Sequence, residues 1–276
     1  MSDNNLKKTI LITGASRGVG LAIAKKFATE SHNLIILAKT VAAHEKLPGT
    51  IWTAKEEILD SGANEVMAIP CDVRNLDDLK SAINNAGEHF GKIDIVINNA
   101  SSIYLEKIEK LTETHYNLMH EIIVRSSVFT IKYATPYLKK SSNPNIINIV
   151  PKPDLSEKWF TNHTVYTMCK FASSMLVMGA AAELKEHSIA VNAVWPASLL
   201  DTAAVRNLLG GMDAVNRSRS PKIMADAIHY LTSHIKNTTG QYYLDEELIN
   251  LAGLDLASYS VVPNSNLITD LYVNKL

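Results

Sequence analysis

The sequence predicts a doubly wound α/β fold, a Rossmann-type parallel sheet of about seven strands forming one domain over 1–276. Three observations predict it. Short apolar runs alternate with longer amphipathic stretches along the whole chain. Several of those runs (LIILA at 34–38, IDIVIN at 93–98, IINIV at 146–150) are nearly continuous, as in strands covered on both faces. A glycine-rich turn from Gly14 to Gly20 joins the first run to the first amphipathic stretch.

The elements follow in order. TILIT at 9–13 is the first strand, and the glycine turn opens a helix over 19–30. The second and third strands are expected at 33–38 and 65–70, followed by a helix over 77–90. The fourth strand, 93–98, leads into a long helical stretch over 114–139, and the fifth is 145–150. A helix over 165–185 carries Phe171, Met175, Met178, Ala182 and Leu184 at roughly helical spacing. Strands at 189–195 and 241–244 complete the sheet. Residues 198–221 hold Gly, Ser and Arg without a period, which after a late strand predicts a mobile substrate flap over the carboxyl edge. Met212 is the only methionine there, so the flap is not a Met-rich partner surface.

Composition removes several function classes. With 27 Lys+Arg against 28 Asp+Glu the formal net charge is −1, which argues against a nucleic-acid partner. The two cysteines, Cys71 and Cys169, cannot form a disulfide framework and suit a reducing, cytoplasmic setting. No apolar run approaches the ~18 residues of a membrane span, and MSDNNLKKTI reads as neither signal nor transit peptide. Asn274-Lys275-Leu276 has only a faint likeness to a peroxisomal address and reads as a chance ending. Nine histidines without HExxH or Cys/His ligand spacing give no reason to expect a metal. Cys169, inside a helix, reads as a small buried residue rather than a redox thiol.

The turn Thr13-Gly14-Ala15-Ser16-Arg17-Gly18-Val19-Gly20 brings backbone amides and a helix N-terminus towards a pyrophosphate. Taken alone it would also suit a tight βα turn. Its spacing is Gly-x-x-x-Gly-x-Gly, and further marks follow in order: Asp72-Val73, Asn98-Asn99-Ala100, Tyr166-Thr-Met-Cys-Lys170, and Asn192 with Pro196. Over roughly residues 8–245 the chain resembles the short-chain dehydrogenase/reductases. LAKT at 37–40, LPGTIWTAKEEI at 47–58, NNAS at 98–101, Trp159-Phe160 and LDEELI at 244–249 resemble the hydroxysteroid dehydrogenase-like branch of that family. Members of the branch often add a sterol-carrier domain, and this chain is expected to stop short of one.

The end of the second strand reads Leu37-Ala38-Lys39-Thr40, without the acid that holds an NAD ribose 2′-OH. Lys39 and Arg17 would instead neutralise a 2′-phosphate, which makes NADP(H) the expected cofactor. The resemblance implies that Asp72 bonds the adenine, that Asn99 steadies the sheet beside the cofactor, and that Thr202 contacts the nicotinamide carboxamide. It also implies pairing into dimers or tetramers through the helices after strands four and five, while Trp159, Phe160 and Trp195 would favour a small apolar substrate.

Tyr166 and Lys170 stand four apart, so they share one helix face. A tyrosine exchanging protons near neutrality needs its pKa of ~10 lowered by ~2–3, worth roughly 3–4 kcal/mol, and Lys170 would supply the charge. It would also bind the cofactor ribose. Two helpers implied by the resemblance are missing. The serine position after strand five reads Pro151, with Ser156 the nearest hydroxyl; losing such a donor costs about a hundred- to a thousandfold. The water-holding asparagine position falls on Ile123. Glu121 or His120 could take that role if the helix is locally irregular, or both could face solvent. An NADP(H)-dependent oxidoreductase on an apolar carbonyl or alcohol is therefore expected, with a non-catalytic NADP(H)-binding or sensor protein as the alternative. Trp159, Phe160 and Trp195 either line the substrate side or pack the core.

Overall fold

The structure, a computed structural model, describes residues 7–44 and 47–274. Seven strands make one parallel sheet among the described residues: β1 (Thr9–Thr13), β2 (Asn33–Ala38), β3 (Glu65–Pro70), β4 (Ile95–Asn98), β5 (Asn145–Asn148), β6 (Ala190–Trp195) and β7 (Tyr242–Leu244). Their order is β3-β2-β1-β4-β5-β6-β7, the doubly wound order expected. The order reverses between β1 and β4, which opens a crevice at the carboxyl ends of those strands. Every residue of β1, β4 and β5 is buried, as continuous apolar runs require.

Helices α1 (Gly18–Ala28), α2 (Ile51–Asp60), α9 (Lys222–His234) and α10 (Asp245–Leu251) share one apolar core with the sheet. Helices α3 (Leu76–Phe90), α5 (Ser126–Leu138) and α6 (Thr164–Glu183) build the other. The long helical stretch is not uniform. It begins as α4 (Glu113–Met119), widens to a π-helix over His120–Arg125, and continues as α5. The Ser126 and Ser127 hydroxyls donate to the carbonyls of Ile122 and Ile123 at 2.5 and 2.8 Å, satisfying acceptors where the ladder changes pitch.

Two expectations change, and the region expected to be a flap shows regular structure. The region 198–221 folds as α7 (Ala203–Leu208) and α8 (Gly211–Asn216), with the Thr202 hydroxyl accepting from Val205 N–H at the start of α7. On α6 the stripe turns outward at Met175 and Met178, 61% and 57% exposed, while Phe171 is buried. β5 ends at Asn148, because Val150 N–H turns back to the Asn148 carbonyl. Thr164–His187 is long and apolar enough to cross a membrane, yet 61% of its most apolar 18-residue window is buried inside this fold.

Candidate active site

The glycine turn is held from three sides. Gly14, at φ 71°, and Ala15 both direct their amides at the Leu37 carbonyl, at 2.7 and 3.4 Å. The Asn99 side-chain amide donates to the Thr13 and Gly14 carbonyls at 2.8 and 3.0 Å. The Thr13 hydroxyl accepts from the amides of Asn99 and Ala100, both at 3.1 Å. Buried Ser16 leads to Arg17, the N-cap of α1, which offers no side-chain acceptor to the first turn of Gly18, Val19 and Gly20. That helix end therefore keeps its partial positive charge for a ligand.

Arg17 does not hang free in solvent. Its guanidinium donates to the carbonyls of Pro48 at 3.0 Å and Gly49 at 2.9 Å, tying the glycine turn to the loop before α2. Those acceptors are neutral, so the cation is fixed in place without being cancelled. Lys39 is exposed at the end of β2 and has no ion pair among the described residues. Asp72 follows β3, gripped by Arg74 at 2.5–3.0 Å, and that side-chain bonding keeps its carboxyl below the usual range.

Helix α6 brings the central pair to the crevice. Tyr166 and Lys170 are 5% and 4% exposed and lie on one face, with the ammonium 5.9 Å from the centre of the phenol ring. Lys170 donates to the Ile149 carbonyl at 3.2 Å and sits 5.0 Å over the Trp195 ring. Burial brings the Lys170 ammonium down to about 8, against the opposing pull of Asp270. The expected lowering of Tyr166 does not occur in this geometry: burial drives its phenol well above its ordinary value, and neighbouring Tyr272 and Asp270 push the same way. Tyr166 is accordingly a protonated group at neutrality.

The two missing helpers have no replacement from the expected places. Ile123 is 2% exposed in an apolar cluster with Met119, Val165 and Tyr166. The helix is irregular at this point, but Glu121 pairs with Arg125 at 3.1 Å and His120 stacks on Tyr116 at 5.9 Å, both away from Tyr166. Pro151 brings no hydroxyl; its carbonyl accepts from Ser174 at 2.7 Å. Ser156 is bonded to Asp154, outside the crevice.

One cavity of about 420 Å³ is lined by Val19, Asn99, Ser101, Ser102, Thr202, Tyr166 and Lys170, while Arg17, Lys39 and Asp72 lie outside its wall. The Thr202 methyl also faces Gly18. Trp195 lines this cavity, whereas Trp159 and Phe160 do not: they pack on Tyr272 and Phe171, with ring centres 5.6 and 5.7 Å apart. The cavity roof is a strap over residues 268–273. Asp270 N–H donates to the Ala197 carbonyl at 3.1 Å, and Trp195 Nε1 donates to the Leu271 carbonyl at 2.7 Å. A second cavity, about 530 Å³, shares Ile268 and Thr269 with the first and holds neither Tyr166 nor Lys170.

A family model for the short chain dehydrogenases matches residues 8–211. The chain belongs to this family. It is similar, at 42% identity over 270 residues, to hydroxysteroid dehydrogenase-like protein 2 of Xenopus laevis, covering 97% of this chain and 64% of that protein. The Danio rerio protein of the same name is 42% identical over 269 residues, covering 96% of this chain and 64% of that one. The chain thus spans about 64% of the length of these relatives. A crystal structure of a short chain dehydrogenase from Mycobacterium thermoresistibile is similar at 40% identity and TM-score 0.91, covering 97% of this chain and 95% of that one.

Short-chain dehydrogenases use NAD(P)(H), and the residues here fit such a dinucleotide: an uncapped helix N-terminus, a fixed cation beside it, and a cavity running on to Tyr166. Sequence reasoning missed Thr13, Ser101, Ser102 and the whole strap. Thr13 stood within the quoted glycine motif and could have been singled out there. The strap carried no motif, and its contacts reach back about 70–100 residues along the chain.

Proposed function

We propose that the protein is an NADP(H)-dependent oxidoreductase that reduces an apolar carbonyl. The observation that carries this reading is the single cavity joining Asn99 and Thr202 to Tyr166 and Lys170. The nicotinamide, when bound, supplies the hydride. Tyr166, protonated at neutrality, donates its proton to the carbonyl oxygen as the carbon takes the hydride, and the product is an alcohol. Lys170, held at the Ile149 carbonyl, faces the developing tyrosinate with positive charge and is placed to bind the ribose hydroxyls. Ile103, Leu105, Trp195, Leu199 and Leu271 around the cavity favour an apolar substrate. Lys39 and the carbonyl-anchored Arg17 favour a 2′-phosphate, and Asp72, on its Arg74 clamp, is assigned to the adenine end.

Ile123 and Pro151 favour a second reading, an NADP(H)-binding protein without turnover. One experiment separates the two. NADPH oxidation is followed over a panel of apolar ketones and aldehydes with wild type and Tyr166→Phe. The enzyme reading expects turnover that falls by about a hundredfold or more in the variant. Tight NADPH binding without turnover supports the sensor, and turnover unchanged in Tyr166→Phe removes the phenol as proton donor. Pairing through the exposed Met175 and Met178 of α6 is our reading of its assembly, tested by sedimentation of Met175→Glu.

A further inference from the structure

The strap places a carboxyl group where the proposed reaction lacks a proton source. Asp270 lies in the wall of the same cavity as Tyr166 and Lys170. Its position is fixed on both sides. Leu199 N–H donates to the Ile268 carbonyl at 2.9 Å, Asp270 N–H to Ala197 at 3.1 Å, and the Trp195 indole to Leu271 at 2.7 Å. Immediately after it, Tyr272 wedges its ring against Phe171, Trp195 and Tyr166 at 5.2, 5.9 and 6.4 Å, and its hydroxyl is 3.1 Å from that of Thr167. One Asp270 oxygen accepts from Leu271 N–H at 2.7 Å. The charged and titratable groups facing it are Lys170 and Tyr166 from α6, Asp245 from the start of α10, and Tyr272 on the strap.

The positions on the π-helix that the resemblance gave to a proton relay place no polar group at the pair. Ile123 is buried and apolar, Glu121 is turned to Arg125, and His120 to Tyr116. A tyrosinate formed by giving its proton to substrate must be recharged before the next turnover. We propose that Asp270 is the proton-relay residue of this site: it takes a proton from solvent and passes it, through water in the cavity that the three side chains line together, to Lys170 and so to Tyr166. This rests on the oxidoreductase reading. The direction of each shift agrees with it: burial pushes the Asp270 carboxyl up to about 7 and the Lys170 ammonium down to about 8, while each attracts the charged form of the other. Two groups so nearly matched exchange a proton with little free-energy difference.

The experiment compares wild type with Asp270→Asn and Asp270→Glu, reading NADPH affinity, kcat, KM and the pH profile of carbonyl reduction. Asp270→Asn should lower kcat by about tenfold or more while NADPH affinity and KM stay within about twofold. Its alkaline limb should move to lower pH, because the carboxylate that raises Lys170 is gone. Asp270→Glu should restore part of the rate and return the limb towards its wild-type position. A residue that merely held the strap would lower the melting temperature without moving that limb. Unchanged kcat and an unchanged limb in Asp270→Asn overturn the relay. A second readout does not need turnover. Carbon-13 NMR of the Asp270 carboxyl, assigned by its loss in Asp270→Asn, should give a midpoint near 7 that rises in Lys170→Met. A midpoint in the ordinary range near ~4 overturns the proposal. A midpoint near neutrality in a protein that binds NADPH but reduces nothing refutes the oxidoreductase reading, and the relay with it.

Discussion

Gly20→Ala tests how the glycine turn is built. A Cβ at Gly20 would stand 2.5 Å from the Gly14 carbonyl oxygen, 2.6 Å from Asn99 Nδ2 and 3.0 Å from Ala15 Cα. Ordinary contact begins at 3.4 Å, so α1 and the turn must part by roughly 0.9 Å. The nearest obstacle is backbone, which cannot swing aside. The second is the Asn99 amide, whose bonds to Thr13 and Gly14 at 2.8 and 3.0 Å would have to lengthen or break. Two hydrogen bonds at about 1 kcal/mol each, with overpacking of about 1–3 kcal/mol, give a destabilisation of roughly 3–5 kcal/mol. In a domain of this size the melting temperature should fall by about 10 °C. The same displacement misaligns the amides facing the pyrophosphate, so NADPH affinity should drop by at least about tenfold. Differential scanning calorimetry and NADPH fluorescence titration measure both effects. Gly91→Ala is the control: φ is 76° there, with nothing within 4 Å of the added methyl, so about 1 kcal/mol is lost and NADPH binding is untouched. A Gly20→Ala protein that melts and binds NADPH like wild type would refute the reasoning.

Lys39→Asp should reduce the preference for NADPH over NADH by at least about tenfold in isothermal titration, and removing Arg17 as well should abolish it. Wild type binding NADH as tightly as NADPH would defeat that assignment. Arg17→Ala should also lower the melting temperature, because it releases the Pro48 and Gly49 carbonyls, whereas exposed Lys39 carries no such load. High salt should weaken NADPH binding more than NADH binding, since the discriminating charges lie near the surface. Acid stability should depend on His32 and His229, which flank Glu30 at 3.3 and 2.7 Å and are both lowered by burial from 6.5. The unfolded chain takes up their protons first, so stability is full above that value and falls as pH drops below it. Melting temperatures between about pH 5 and 8 should show this limb, flattened in His229→Gln; a flat wild-type curve would contradict it.

The central strands were legible because strands buried on both faces are continuously apolar, and the part-exposed edge strands β3 and β7 were legible as short apolar runs between turns. The ends were less legible. Residues 93 and 94 fall outside β4: Ile93 N–H turns to the Tyr137 carbonyl, and Asp94 meets β1 through its carboxylate as well as its backbone. Helix α2 went unread although Thr50 and Thr53 cap each other, since a Thr-x-x-Thr box is a weaker signal than one ending in Glu. The glycine turn, Asn99, Thr202, Tyr166 and Lys170 lie near one another in the structure, because the turn and Asn99 are hydrogen-bonded and the rest line one cavity. The aromatics divided instead: Trp159 packs on Tyr272, set by a strap that follows no local pattern, and Phe160 packs on Phe171 of α6.

The π-helix at His120–Arg125 has a consequence for numbering. An inserted residue acts as a phase slip, rotating everything downstream by about a hundred degrees relative to an unbroken α-helix. Residue numbering alone therefore does not say which side chains before the slip face Tyr166; the π-turn does. Deleting Ile122 would let one frame run through, turning Met119 and its upstream neighbours onto a new face while Ser126 and Ser127 stay fixed by the sheet. The helix would gain regularity and the crevice would lose the wall that presses on Tyr166.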